Sequence, residues 1–141
     1  MQKIIVSVCL ILALAGCGEV VDYRSLQKRD GIVYLPNATT PFSGRAEARR
    51  GDGQLIMERT YKNGELDGSY REWYRDGQMR LDQTYKNGEA DGPYREWHEN
   101  GQMRQELNFR NSKEDGRARG WNEKGEMAFD LVFKNGVKQR N

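Results

Sequence analysis

From residue 43 onward, apolar and aromatic side chains alternate with charged ones in short runs, many of which stop at Asp-Gly or Asn-Gly. Alternation with a period of two is the signature of a half-buried strand. Asp-Gly and Asn-Gly between such runs close hairpins, because glycine supplies the positive φ that the turn needs. Residues 70–75 and 78–85 therefore read as two strands, bounded by Arg75-Asp76-Gly77 and by Lys86-Asn87-Gly88. The pattern recurs every 24 residues. Gly44, Gly68, Gly92 and Gly116 keep this spacing, as do Gly53, Gly77, Gly101 and Gly125, and Gly64, Gly88 and Gly136 with Ser112 in the missing slot. Trp73, Trp97 and Trp121 share the period, and so do Tyr61, Tyr85, Phe109 and Phe133. Four hairpin units are predicted, over 43–66, 67–90, 91–114 and 115–138. One hairpin alone is marginal, so neighbours must stack. The expected fold is mostly β, an elongated antiparallel meander of stacked hairpins.

The turns also suggest a register. A three-residue loop with Gly77 as its left-handed residue sets Trp73 opposite Met79, and Tyr85 is then expected opposite Glu89. Odd positions would share an apolar face: Trp73, Met79, Leu81 and Tyr85 and their equivalents as far as Phe133. Even positions would form a charged face with aromatic inlay: Tyr70, Glu72, Tyr74, Arg80 and Asp82, then Tyr94, Glu96, His98, Arg104 and Glu106.

The N-terminus follows another pattern. Lys3 precedes an apolar run over 4–15, too short for a lasting bilayer span of about 20 residues, so it reads as a secretory leader. Leu14-Ala15-Gly16-Cys17 resembles the lipobox of bacterial lipoproteins, which implies a signal peptide over 1–16 and acyl chains on Cys17, anchoring the chain to a membrane. An ordinary leader with a free Cys17 is the alternative. Gly18 stands where such lipoproteins carry Asp when retained in the inner membrane, so the resemblance favours the outer membrane of a bacterial envelope. Residues 17–29 lack the glycine grid and read as a tether or a short helix. Residues 30–42 read as a lead-in strand and 139–141 as a tail.

Composition narrows the function. Of 141 residues 44 are charged, 23 basic and 21 acidic, which leaves no basic stripe for nucleic acid. Fourteen aromatics, all after residue 17, argue for a folded chain. His98 is the one histidine and occupies the repeat slot of Tyr74 and Asn122, so no base–nucleophile pair is in view and no enzymatic activity or small-molecule substrate is expected. Asp67, Asp91 and Asp115 each precede a grid glycine, which is ordinary turn chemistry rather than a calcium loop. No metal or cofactor is expected. The tryptophans, paired with methionine, read as core. Tyr70, Tyr74, Tyr94 and His98, with Arg80 and Arg104 nearby, have the composition of a protein-recognition surface.

The run Gly-x-Tyr-x-x-Trp-Tyr-x-x-Gly, closed by Tyr-Lys-Asn-Gly-Glu-x-Asp-Gly, resembles the bacterial variant of the MORN repeat found in proteins of the YwqK-type antitoxin family. The resemblance covers about 42–138. The first unit departs from it with Arg49 where tryptophan is expected, and the last with Ala118 in the tyrosine slot. It implies a non-enzymatic repeat module that binds a protein partner, with an antitoxin or immunity role against an envelope toxin. A structural envelope scaffold touching lipid or peptidoglycan is the alternative.

Overall fold

The 24-residue grid folds as antiparallel strands joined by two alternating kinds of turn. The computed structural model describes residues 19–140, so the expected leader over 1–16 and the expected lipidation site Cys17 lie outside the described residues. The strands are β1 Val20–Asp22, β2 Gln27–Arg29, β3 Ile32–Tyr34, β4 Gly44–Arg49, β5 Leu55–Lys62, β6 Glu65–Trp73, β7 Met79–Lys86, β8 Glu89–Trp97, β9 Met103–Arg110, β10 Lys113–Glu114, β11 Gly116–Trp121, β12 Met127–Lys134 and β13 Val137–Lys138. Strands β4 to β9, then β11, β12 and β13, pair in chain order in one large sheet; β10 lies beside β9, and β1 closes the other end, parallel to β4. This is the meander that the periodicity predicts.

One kind of turn has three residues. The Tyr74 N–H donates to the Gln78 carbonyl at 2.8 Å, Gly77 takes φ +90°, and Trp73 pairs with Met79 as expected. The other kind has two. Asn87 and Gly88 both adopt positive φ (48° and 79°), the requirement of a type I′ turn, so Lys86 pairs with Glu89. Tyr85 is thus opposite Ala90, not Glu89.

Two irregularities per unit then rearrange the faces. Arg80 is an extra residue opposite the Glu72–Trp73 step, so Leu81 pairs with Glu72 while Met79 keeps Trp73. Beyond Gln83, which pairs with Tyr94, residues 91–93 share the single partner Thr84 before Tyr85 meets Ala90. A shift of one residue reverses which side chains share a face. Tyr70 and Glu72 therefore lie with Leu81, Gln83 and Tyr85, contrary to the expected division into odd and even positions. Ring contacts agree: Tyr70 meets Tyr85 edge-on at 6.0 Å, and Tyr94 meets Phe109 at 6.1 Å. The tryptophans fall on the opposite, charged face, where the Arg119 guanidinium lies 5.7 Å from the Trp121 ring. All three are partly exposed and are not core.

Residues 20–29, which belong to the stretch expected over 17–29 as a tether or a short helix, are built into the fold. After β1 comes a single 3₁₀ turn, Tyr23–Ser25, capped by the Asp22 carboxylate, and then the β2–β3 hairpin. This segment lies over the tyrosine face at the β4–β5 end. Val33, Phe42, Ala46 and Tyr61 are buried there, with Val21, Tyr23, Leu26, Leu35 and Leu66 packed around them. Three backbone bonds hold the cover down: Val33 N–H to Gly64 C=O, Phe42 N–H to Val33 C=O, and Gly64 N–H to Phe42 C=O, at 3.0, 2.8 and 2.7 Å.

Successive turns are stitched together. The Gly88, Ser112 and Gly136 N–H groups donate to the carbonyls of Leu66, Ala90 and Glu114, each at 2.8 Å. Ser112 holds φ +58° where the other units have glycine, and its hydroxyl accepts from the Ala90 N–H at 3.1 Å. Asp67 and Asp91 accept from the backbone N–H of Asn87 and Asn111 in the following turn.

Candidate functional site

Four of the six residues expected to form a binding face, Tyr70, Arg80, Tyr94 and Arg104, are brought together, but as two copies of one polar cluster set into the sheet. Tyr70 donates its hydroxyl to Glu72, which also accepts from Arg80 across the strand pair. Twenty-four residues on, Tyr94 donates to Glu96 at 3.1 Å, and Arg104 donates to the same carboxylate at 2.8 Å. Gln105 adds a further bond to Glu96, which is buried at 6% exposure. The bulge residues Arg80 and Arg104 are thus turned onto the tyrosine face. Their charges are spent on these carboxylates.

Burial pushes the Glu72 carboxyl up, but the hydrogen bonds from Tyr70 and Arg80 and the charges of Arg80 and Arg59 outweigh it, leaving it below the ordinary glutamate value. Burial, and then the neighbouring glutamate, raise both Tyr70 and Tyr94. A carboxylate depressed in the folded state contributes stability above its unfolded value, and that contribution is lost as pH falls through the folded one. Denaturation midpoints are therefore expected to decline below about pH 4.5, the ordinary value for Glu72. Glu72→Gln is expected to flatten part of that decline; an unchanged acid limb would contradict the assignment.

Tyr74 and His98 do other work. The Tyr74 hydroxyl donates to the Trp97 carbonyl at 2.5 Å, and His98 Nε2 lies 2.9 Å from the Trp121 carbonyl. Each ties its loop to the next three-residue turn, 23 residues ahead. They are staples between hairpins.

Sequence reasoning missed Arg59, which sits between the Tyr23 and Tyr70 rings, 4.6 Å from each centroid, and donates to both hydroxyls. Its Nε is buried without a hydrogen-bond partner in the protein. Arg59 joins the cover segment to the first polar cluster. The signal in the sequence is its slot, which holds Gln83, Leu107 and Leu131 in the other units.

At the other end of the same face an apolar trough stays open above Ala118, which is itself buried at its floor. Leu107, Phe109, Phe129, Leu131 and Phe133 surround Ala118 in an open trough of about 400 Å³, with Tyr94 and Gln105 at its near wall. Ala118 takes the slot of Tyr70 and Tyr94, and so does Ala46. Over Ala46 the small side chain makes room for the cover segment. Over Ala118 no described residue does the same. Among the described residues, four of the five exposed large hydrophobic side chains, Met127, Phe129, Val132 and Val137, lie on β12 and β13.

The charged face is a row running across the sheet. Glu47, Glu58, Arg71, Asp82, Arg95, Glu106, Arg119 and Asp130 are successive cross-strand partners, alternating in sign from Glu58 onward. Arg71 bridges Glu58 at 3.4 Å and Asp82 at 3.2 Å, and Arg119 bridges Glu106. Among the described residues there is no group of three or more His, Cys, Asp or Glu side chains placed to hold a metal ion.

These features define a repeat protein, built of 24-residue β-hairpins with one mixed aromatic face and one charged face. Residues 66–87 and 90–111 match the MORN repeat variant, so the two central hairpins are similar to repeats of that family. MORN repeats are commonly modules for interaction with proteins or membranes. The flanking β4–β5 and β11–β12 hairpins, outside the matched segments, repeat the same register and the same bulge. No curated protein matches the chain.

Proposed function

We propose that this chain is a non-enzymatic protein-binding module of a bacterial envelope, held to the outer membrane by acyl chains on Cys17, with its partner on the uncovered end of the tyrosine face. The observation that carries the reading is the asymmetry of that face. One end is covered by residues 20–42, and the equivalent end is an open trough over the buried Ala118, walled by half-buried apolar side chains with Phe129 exposed. Contiguous exposed apolar surface rimmed by polar groups marks interaction sites. The resemblance to YwqK-type antitoxins makes an envelope-acting toxin the favoured partner and immunity the favoured role.

The test fills the trough without breaking the fold. Ala118→Tyr restores the residue that the two central units carry, and its ring would pack on Phe133 as Tyr70 packs on Tyr85. Such an aromatic pair is worth about 1 kcal/mol beyond area burial, so thermal stability is expected to rise slightly. The tagged, lipidated chain, crosslinked in the envelope, is expected to capture one stoichiometric protein that the Ala118→Tyr chain loses. Equal capture by both chains would remove the trough from the reading. Recovery of only lipid and cell-wall fragments by both would replace it with the scaffold role.

A further inference from the structure

We infer that the partner engages this end by adding an extended strand to the open edge of β12, antiparallel to residues 127–131, with an arginine opposite Asp130. The inference rests on the protein-binding reading and gives it a chemistry. In the first three units the outer edge of the second hairpin strand is occupied: β5 by β6, β7 by β8, and β9 by β10 and β11. On β12, β13 covers only Phe133 and Lys134, and the Gln139 N–H then donates to the Val132 carbonyl. Strand alternation therefore directs the Asp130 N–H and C=O outward, and no described residue pairs with them. A row of unpaired backbone groups beside an apolar strand is a template for strand addition.

The repeat itself dictates what such a strand carries. The residue facing Glu58 is Arg71, the one facing Asp82 is Arg95, and the one facing Glu106 is Arg119. Asp130 is the next acid in the row, half-buried and bonded to Arg117 on its inner side at 2.8 and 2.5 Å. The residue before that arginine would take the place of Tyr70 and Tyr94, opposite Leu131. The residue after it would lie opposite Phe129, where an apolar side chain completes the trough. The ligand is thus an extended segment reading aromatic, arginine, apolar. A second copy of this chain supplies no such match. Self-pairing of β12 about Phe129 would set Asp130 against Ala128, and β1, at the opposite end of the sheet, offers Asp22.

The probe is a synthetic heptapeptide, Asp-Gly-Ser-Tyr-Arg-Leu-Trp, which copies residues 67–73 with leucine for Glu72, titrated into the full chain in detergent by amide NMR. Saturable shifts confined to β11 to β13 with a Kd below about 1 mM are expected. Methylating the peptide's arginine nitrogen removes one edge hydrogen bond and is expected to abolish binding. Asp130→Lys should weaken the arginine peptide at least about threefold and favour a glutamate-substituted one. Absent binding, binding indifferent to methylation, or shifts centred elsewhere would overturn strand addition. So would a sedimenting dimer that Phe129→Lys dissociates, which would seat a second copy on the edge. Capture of the envelope partner that survives in a Phe129→Lys, Asp130→Lys chain would end this inference while leaving the protein-binding reading standing.

Discussion

Gly64→Val is expected to lower the stability of the chain by about 3 kcal/mol, whereas Gly88→Val, the same change one unit later, costs about 1. Both glycines close two-residue turns at nearly the same φ, +78° and +79°, so the strain of a left-handed β-branched residue is common to the pair. The surroundings differ. A Cβ on Gly64 would sit 2.9 Å from both the backbone N and O of Val33 and 2.3 Å from the Ile32 side chain, while one on Gly88 would meet only Glu65 side-chain atoms, at 3.8 Å and beyond. Backbone cannot step aside as a flexible side chain can, so valine at 64 must lift the β2–β3 hairpin and break the three bonds joining Val33, Phe42 and Gly64. Urea midpoints of the two variants measure the difference, and amide exchange locates it. Equal midpoints would mean that the cover segment is not held by this contact.

Phe42→Ala is expected to cost about 3–5 kcal/mol, in the range found when a buried phenylalanine is truncated. Phe42 is 3% exposed, lies 5.9 Å from the Tyr61 ring centroid, and reaches over Gly44 so closely that a Cβ there would come within 2.9 Å of its ring. It is the one aromatic of the cover that is buried, since Tyr23 and Tyr34 are partly exposed. The loss is expected to be local first. Exchange protection over 20–42 should fall while β7 to β9 keep theirs, and an environment-sensitive dye should bind the uncovered surface around Ala46. Uniform loss across the sheet would show instead that the cover and the repeats unfold as one unit.

The sequence made the strands, the 24-residue period and the three-residue turns legible because glycine at fixed offsets and alternating polarity are local signals. The faces were not legible. Arg80 and residues 91–93 each shift the register between neighbouring strands, and alternation along one strand carries no record of a bulge in its partner. That is why the tyrosines and tryptophans exchanged sides, and why Tyr74 and His98, which look like free recognition residues, prove to be bonded to carbonyls of the next loop. The cover over residues 20–42 was hidden for another reason. Its stabilising contacts are made with β4 and β5, so Val20, Tyr23 and Leu26 show little alternation of their own. The one clue was Ala46 in the slot that holds Tyr70 and Tyr94, and Ala118 repeats that clue at the trough.

The stitching of turns has a mechanical consequence. The Gly88 N–H bonds to Leu66, Ser112 to Ala90 and Gly136 to Glu114, while on the opposite rim Tyr74 reaches Trp97 and His98 reaches Trp121. Every hairpin is therefore clamped to the next along both rims as well as through its strands. A load applied at β12 and resisted at β1 would be shared by many short bonds arranged in parallel with the sheet. Such a plate resists bending about its strand axes, so an occupant at the edge of β12 would be held in a fixed orientation relative to the covered end at β1 and β4.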